Sequence, residues 1–166
     1  MLTRTLRFVA ITCAALVLGL TLTHVLEAPG KAQLSGAEWL AIQHTFYGGY
    51  AVVGGIAEVV GLVASLILAY LLRAERVAAG LALLAALCFA GTLLAFAFGN
   101  NPLNQQIANW TPETLPVTWP ETRDAWDRAH TISAVMGAIA FFALLVEALF
   151  PLRGAVVESE REATTR

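Results

Sequence analysis

The side chains able to do chemistry are few, and most of them stand at the edges of long apolar runs. There are three histidines, His24, His44 and His130. Histidine is the side chain that exchanges a proton near neutral pH, and it is also a common metal ligand. Glu27 follows His24 by three residues, on the same face of a helix. Gln43 precedes His44, and Asn100 and Asn104 follow a long apolar run. Trp110, Trp119, Arg123 and Trp126 then lead to His130. Imidazole with carboxylate suits iron, copper or zinc. A ferritin-like pair of metals, however, draws several glutamates and repeated Glu-x-x-His pairs from core helices. This chain has one His-x-x-Glu and no second copy. The ligands fall short, so no metal and no other cofactor is expected, with two-histidine haem ligation the remaining variant.

For these residues to meet, the chain must bring several segment ends to one level. Of its 166 residues 58% are hydrophobic and only 13% charged, against roughly 25% charged in soluble domains. That deficit points to a membrane protein of a single domain, with the lipid bilayer as its surroundings. A net charge of -2 excludes nucleic acid as a partner, because a phosphate-binding face must be basic. Cys13 and Cys88 lie inside apolar runs and read as buried thiols. No zinc spacing, dinucleotide fingerprint, phosphate loop or nucleophile elbow is present.

Four segments, about 6–26, 40–72, 77–98 and 130–150, are long enough to cross a bilayer, which needs about 20 residues. Arg4 and Arg7 precede the first, but its apolar stretch exceeds the 7–15 residues of a signal-peptide core. It is therefore read as a retained helix. Arg73 and Arg76 lie between the second and third segments, and Arg153, Arg161 and Arg166 follow the fourth. The positive-inside rule then puts both termini in the cytoplasm and the longer loops, about 27–39 and 99–129, outside. The expected fold is all-α: an integral membrane, up-down four-helix bundle over residues 1–152. A long, partly helical outer loop joins spans three and four, and residues 153–166 form a polar cytoplasmic tail.

Small residues recur every four positions at Ala57, Gly61, Ser65 and Ala69, at Ala78, Ala82, Ala86 and Ala90, and at Ser133 and Gly137. That spacing lets helices approach closely in lipid. It also permits oligomers without requiring them. In the long loop, Thr111-Pro112-Glu113 reads as a helix start. Thr118-Trp119-Pro120-Glu121 reads as a capping box for a helix that runs into the fourth span. Trp119, Arg123, Trp126 and His130 then share one face. All four outer ends carry polar groups of the candidate set. Each has a plain interfacial explanation, but polar groups gathered beside a cavity are also the form a membrane-embedded site takes. Glu58, deep in the second span, must face the interior, with Thr12, Thr92 or Ser133 as partner. Glu147 reads as a snorkelling or capped side chain near the inner end.

The run Asn101-Pro102-Leu103-Asn104, followed by Ile107, Trp110, Trp119, Arg123, Trp126 and His130 ahead of a last apolar span, resembles the anthrone oxygenase-like (DUF1772) family. Its members are small four-span integral membrane proteins. The likeness covers about 90 residues. The first half, with His24-Val-Leu-Glu27 and Gln43-His44-Thr-Phe-Tyr47, looks like a bacterial branch, which implies a bacterial plasma membrane. The resemblance implies oxidation of a lipophilic polycyclic anthrone or quinol by dioxygen without metal or flavin. On that reading a histidine is the general base: His130 first, His44 second, His24 third. Asn100 or Asn104 would hydrogen-bond the developing phenolate, and Trp110, Trp119 or Trp126 would stack on the ligand. The competing reading is a non-catalytic small-ligand or lipid-binding protein, or an accessory subunit. A transporter ranks lowest for want of inverted repeats or broken helices.

Overall fold

The computed structural model describes residues 1–150, and these are helical apart from short turns and one connection. Helix α1 runs Leu2–Lys31, α2 Gly36–Phe46, α3 Gly48–Leu71 and α4 Arg76–Ala95. A π-helical turn, Phe96–Asn100, joins α4 to α5, Asn101–Ile107, and α6 runs Trp119–Leu149. The tail expected over 153–166 lies outside the described residues.

Local chemistry accounts for the breaks. The apolar run read as one span over 40–72 divides at Tyr47, whose backbone (φ -98°, ψ 0°) leaves the regular helix. Gly48 and Gly49 follow, and glycine is a poor helix former because ordering it costs the most backbone entropy. α2 is thereby free to set its own direction. Ser35 starts it with a capping box: its Oγ accepts from Glu38 N–H, and the Glu38 carboxylate accepts from Ser35 N–H at 2.9 Å. The π turn precedes Pro102. A proline ring clashes with the carbonyl four residues back in a regular helix, and the wider π turn accommodates it there.

Two expectations for the long loop change. Thr111 starts no helix; its hydroxyl and backbone N–H close a short turn on Thr114, with Glu113 bonded as well. Helix α6 does start at Trp119, but the Thr118 side chain makes no cap hydrogen bond. The non-helical connection shrinks to residues 108–118, because α5 and α6 claim the rest. The 27–39 loop shrinks likewise to a turn between α1 and α2.

The four long helices pack in a ring, α1 against α3 and α6, and α4 against α3 and α6. Small residues set the contacts. A Cβ on Gly61 would collide with the Phe89 ring, and one on Gly137 would stand 3.2 Å from the Leu18 backbone. Ala57, Ser65, Ala78, Ala82, Ala86 and Ser133 are buried along the same seams. Large apolar side chains such as Phe8, Ile56, Leu87 and Phe142 point outward. In water such a surface would aggregate. Four helical stretches, α1, α3, α6 and the continuous Arg76–Ile107, are long and apolar enough to cross a membrane.

The two ends differ. Where α1 begins and α6 finishes, Arg7 clasps Glu147: Nε donates to both carboxylate oxygens at 2.9 and 3.1 Å, and Nη2 donates as well. The Glu147 side chain is fully buried. It does not snorkel, because a cation on the neighbouring helix reaches it first. At the other end α2 and α5 lie over the ring, and Trp39, Leu40, Ile107 and Trp126 form a second small core with Trp110, Leu115 and Trp119 against it. This is the capped end.

Candidate functional site

Beneath the cap lies a cavity of about 450 Å³. Each helix contributes through its periodicity. α1 brings His24, with Val17, Leu20 and Thr21 a turn or two below. α3 brings Tyr50, Gly54 and Glu58, and α6 brings Trp126, His130 and Ser133. The π turn brings Asn100, α5 brings Asn104, and α2 closes the mouth with Gln43 and His44. So His24, His44, His130, Gln43, Asn100, Asn104 and Trp126, all singled out above, meet around one space.

Four other candidates do not. Trp110 and Trp119 pack in the cap core. Arg123 pairs with its neighbour Asp124 at 2.9 Å and lies over the Trp119 ring. Trp119 and Arg123 do share a helix face with Trp126 and His130. They sit too high, however: Trp119 is seven residues, about 10 Å, above Trp126 along the axis. Glu27 lines a neighbouring groove instead, where it accepts from Tyr47 Oη at 2.7 Å and pairs with Lys31.

The hydrogen bonds assign the proton on His130. Asn100 Nδ2 lies 2.7 Å from His130 Nδ1 and 3.1 Å from Trp126 O, and His130 Nδ1 is 3.0 Å from that same carbonyl. A proton on Nδ1 would face the amide N–H. Turning the amide over would set two oxygens against each other. With Nδ1 bare, Asn100 donates to both acceptors, and the one opposed pair is Nδ1 and Trp126 O at 3.0 Å, a longer contact than the 2.7 Å one that is satisfied. We assign His130 the Nε2–H tautomer because it makes the shortest contact a hydrogen bond, and Nε2 makes no hydrogen bond to the described residues. His44 commits its Nε2 proton to Ile107 O at 3.0 Å, tying α2 to α5. Trp126 Nε1 donates to Asn104 Oδ1 at 2.7 Å, which leaves the Asn104 NH2 group uncommitted.

His24 is 4% exposed and its Nδ1 has no partner among the described residues. Its ring is enclosed by aromatic neighbours, with centroids 4.2 Å from His130, 4.7 Å from Tyr47, 4.8 Å from Trp126 and 5.3 Å from Tyr50. Gln43 Nε2 is likewise buried without a partner. Buried polar atoms are normally bonded, and an orphan marks a place for a water, an ion or a ligand.

Three participants were not in the candidate set. Tyr47 and Tyr50 wall the cavity, and Lys31 is buried beside it. The Lys31 ammonium stands 2.9 Å from Glu27 without directed hydrogen-bond geometry, and lies over the Tyr47 and Trp126 rings at 4.6 and 5.0 Å. The run Tyr47-Gly-Gly-Tyr50 was a usable signal, since a double glycine next to aromatic residues marks a break with a face attached. For Lys31 there was none; it reads as a loop cation until α1 is seen to continue through it.

Of the three partners considered for Glu58, Thr12 is exposed on the outer surface. Ser133 lines the same cavity, and Thr92 stands beside the carboxyl while donating to Phe89 O at 2.9 Å. A charged group at such a depth costs at least about 2.5 kcal/mol on insertion scales. Among the described residues no three His, Cys, Asp or Glu side chains are arranged to hold a metal ion. Set against known protein families, curated proteins and solved structures, the chain matches none of them.

Proposed function

We propose that this chain is an integral membrane, up-down four-helix bundle whose cavity binds a lipophilic, planar small molecule of the anthrone or quinol type. There it oxidises the ligand with dioxygen by imidazole acid–base chemistry, without metal or flavin. The observation that carries the reading is the unpartnered, buried Nδ1 of His24 on a ring packed 4.2 Å between centroids from that of His130, in one cavity with apolar and aromatic walls. The likeness of the Asn101-Pro102-Leu103-Asn104 segment to the anthrone oxygenase-like family supports it. The arginines Arg4, Arg7, Arg73 and Arg76 all lie at the end away from the cap, which favours a cytoplasmic location for that end and an outward-facing cavity mouth.

The chemistry divides between the two imidazoles. His24 Nδ1 is the free lone pair and takes a proton from the activated methylene. The electron pair moves into the rings and onto the ligand oxygen, where the His130 Nε2–H and the Asn104 amide stabilise the phenolate. The electron-rich carbon passes an electron to dioxygen, and recombination forms the carbon–oxygen bond. The peroxide takes back the proton held by His24. Loss of the second C–H proton with cleavage of the O–O bond leaves a carbonyl and releases water. One methylene and one dioxygen thus become one carbonyl and one water. Asn100 acts through His130 as a positioning residue.

The test is oxygen uptake by purified protein in detergent with a simple anthrone, compared with His24→Ala and His130→Ala, with metal content measured on the same sample. Uptake should fall at least about 100-fold in each variant, the usual scale of a lost acid–base group. Uptake at the buffer rate by folded wild type would end the enzymatic reading. Anthrone binding without uptake would move the assignment to the non-catalytic ligand binder.

A further inference from the structure

We infer that Glu58 is a second polar anchor of the cavity, so that the ligand carries a hydroxyl group at the end remote from the histidines. This rests on the ligand reading above and narrows it.

The register of α1 and α3 gives the depth. Tyr50 faces His24, and a Cβ on Gly54 would stand 3.7 Å from Leu20. Each step of four residues down α3 therefore matches four back along α1. Glu58 lies eight residues below Tyr50, about 12 Å deeper at 1.5 Å per residue. Between the two levels the wall is formed by Leu20, Thr21, Ala51, Gly54, Gly55 and Phe96. A Cβ on Gly55 would meet nothing within 4 Å, so the wall beside Glu58 is open. The cavity thus has a polar pole at each end and a largely apolar stretch between.

Glu58 is 7% exposed and, among the described residues, is the only carboxylate lining the cavity. Among the described residues no lysine or arginine pairs with it. Thr92 can serve one carboxyl oxygen at most. The contrast with Glu147 is direct, since that buried acid has Arg7 on both oxygens. Ionisable groups inside a span that lack a structural partner mark ligand or ion pathways. An amphiphile with one polar head at the histidines would lay hydrocarbon against Glu58 and leave it unsatisfied. A ligand hydroxyl would satisfy it in either protonation state, because a carboxyl accepts a hydrogen bond both charged and neutral.

The test compares 9,10-anthraquinone, 2-hydroxy-9,10-anthraquinone and the 2-methoxy analogue by quenching of tryptophan fluorescence in the full-length protein in detergent. The hydroxy compound should bind about five- to tenfold tighter than the parent, the scale of one hydrogen bond. The methoxy compound, which cannot donate, should show no gain, and this arm needs no variant. Glu58→Leu should abolish the preference for the hydroxy compound over the parent. His130→Ala should weaken all three compounds alike. Equal wild-type affinities for the parent and hydroxy compounds overturn the inference and leave the ligand reading standing. So does a Glu58→Leu loss shared equally by all three. Failure of folded wild type to bind any of them ends both.

Discussion

The two ends of this molecule treat buried polar groups in opposite ways. At the uncapped end a buried carboxylate meets a guanidinium in a two-oxygen clasp, so that buried acid is answered by protein. At the capped end His24 Nδ1 and Gln43 Nε2, on residues that line the cavity, are buried with no partner among the described residues. Both ends belong to the same packed helices, so the difference does not come from poor packing. The lesson is that complete pairing marks a structural joint, whereas orphaned atoms around an open space mark a place kept for something else.

That contrast can be broken at its structural end with the largest effect. Glu147→Ala leaves Arg7 beside a buried vacancy and should cost about 3–5 kcal/mol. Arg7→Met combined with Glu147→Leu should restore most of it, because the pair is a poor source of net stability once both charges are gone. Thermal unfolding followed by a thiol-reactive dye reads both variants, since Cys13 and Cys88 are free and buried. A double variant no more stable than the single one would refute this account of the joint.

Asn100→Leu attacks the other end. It removes the donor to Trp126 O and His130 Nδ1, and should cost about 1–3 kcal/mol. It should also free the His130 proton to move to Nδ1, where Trp126 O can accept it. The prediction is a drop in anthrone uptake of about 100-fold that exceeds any loss of ligand affinity. Equal losses in binding and uptake would show that Asn100 only shapes the wall.

Gly54→Leu sharpens the contrast by filling the cavity. Only Leu20 comes near an added Cβ, so stability should change by less than about 1.5 kcal/mol, while anthraquinone affinity falls at least about tenfold. Intact binding in this variant would mean that the ligand sits elsewhere.

The smallest effect is expected at the lid. Ser35→Ala removes the α2 cap and should cost about 0.5–1 kcal/mol, read as faster amide exchange in 36–46. The Ser35 hydroxyl and its backbone N–H hold the exposed Glu38 carboxylate below its ordinary range. The native value is the depressed one, so the cap's contribution is present above the unfolded carboxylate range and is lost as pH falls through the native value. Exchange in α2 that does not respond to acid in the wild type would contradict this.

Much of the scaffold was legible in the chain. Four apolar stretches separated by charged turns give four long helices, because residue type and run length are local properties and lipid demands internally bonded backbone. The small residues at every fourth position likewise reported the seams between helices. Less was legible at the cap. Ser35-Gly-Ala-Glu38 carried the capping signal that was looked for at Thr118, and Thr111-Pro112 made a turn in place of a helix start. Short polar segments hold weak local preferences, and tertiary contacts choose among them.

The chain by itself determined that His24, His44, His130, Gln43 and the asparagines stand at the same-side ends of the apolar runs, because that follows from counting along each run. Only the tertiary structure decided which of them share a space. Rotation about a helix axis, the π turn ahead of Pro102 and the break at Tyr47 set the facing of each side chain. They bring His24 within 4.2 Å of His130 between ring centroids, hold Arg123 outside with Asp124, and bury Lys31 against Tyr47 and Trp126. Those choices depend on packing between segments far apart in the chain, and no local pattern encodes them.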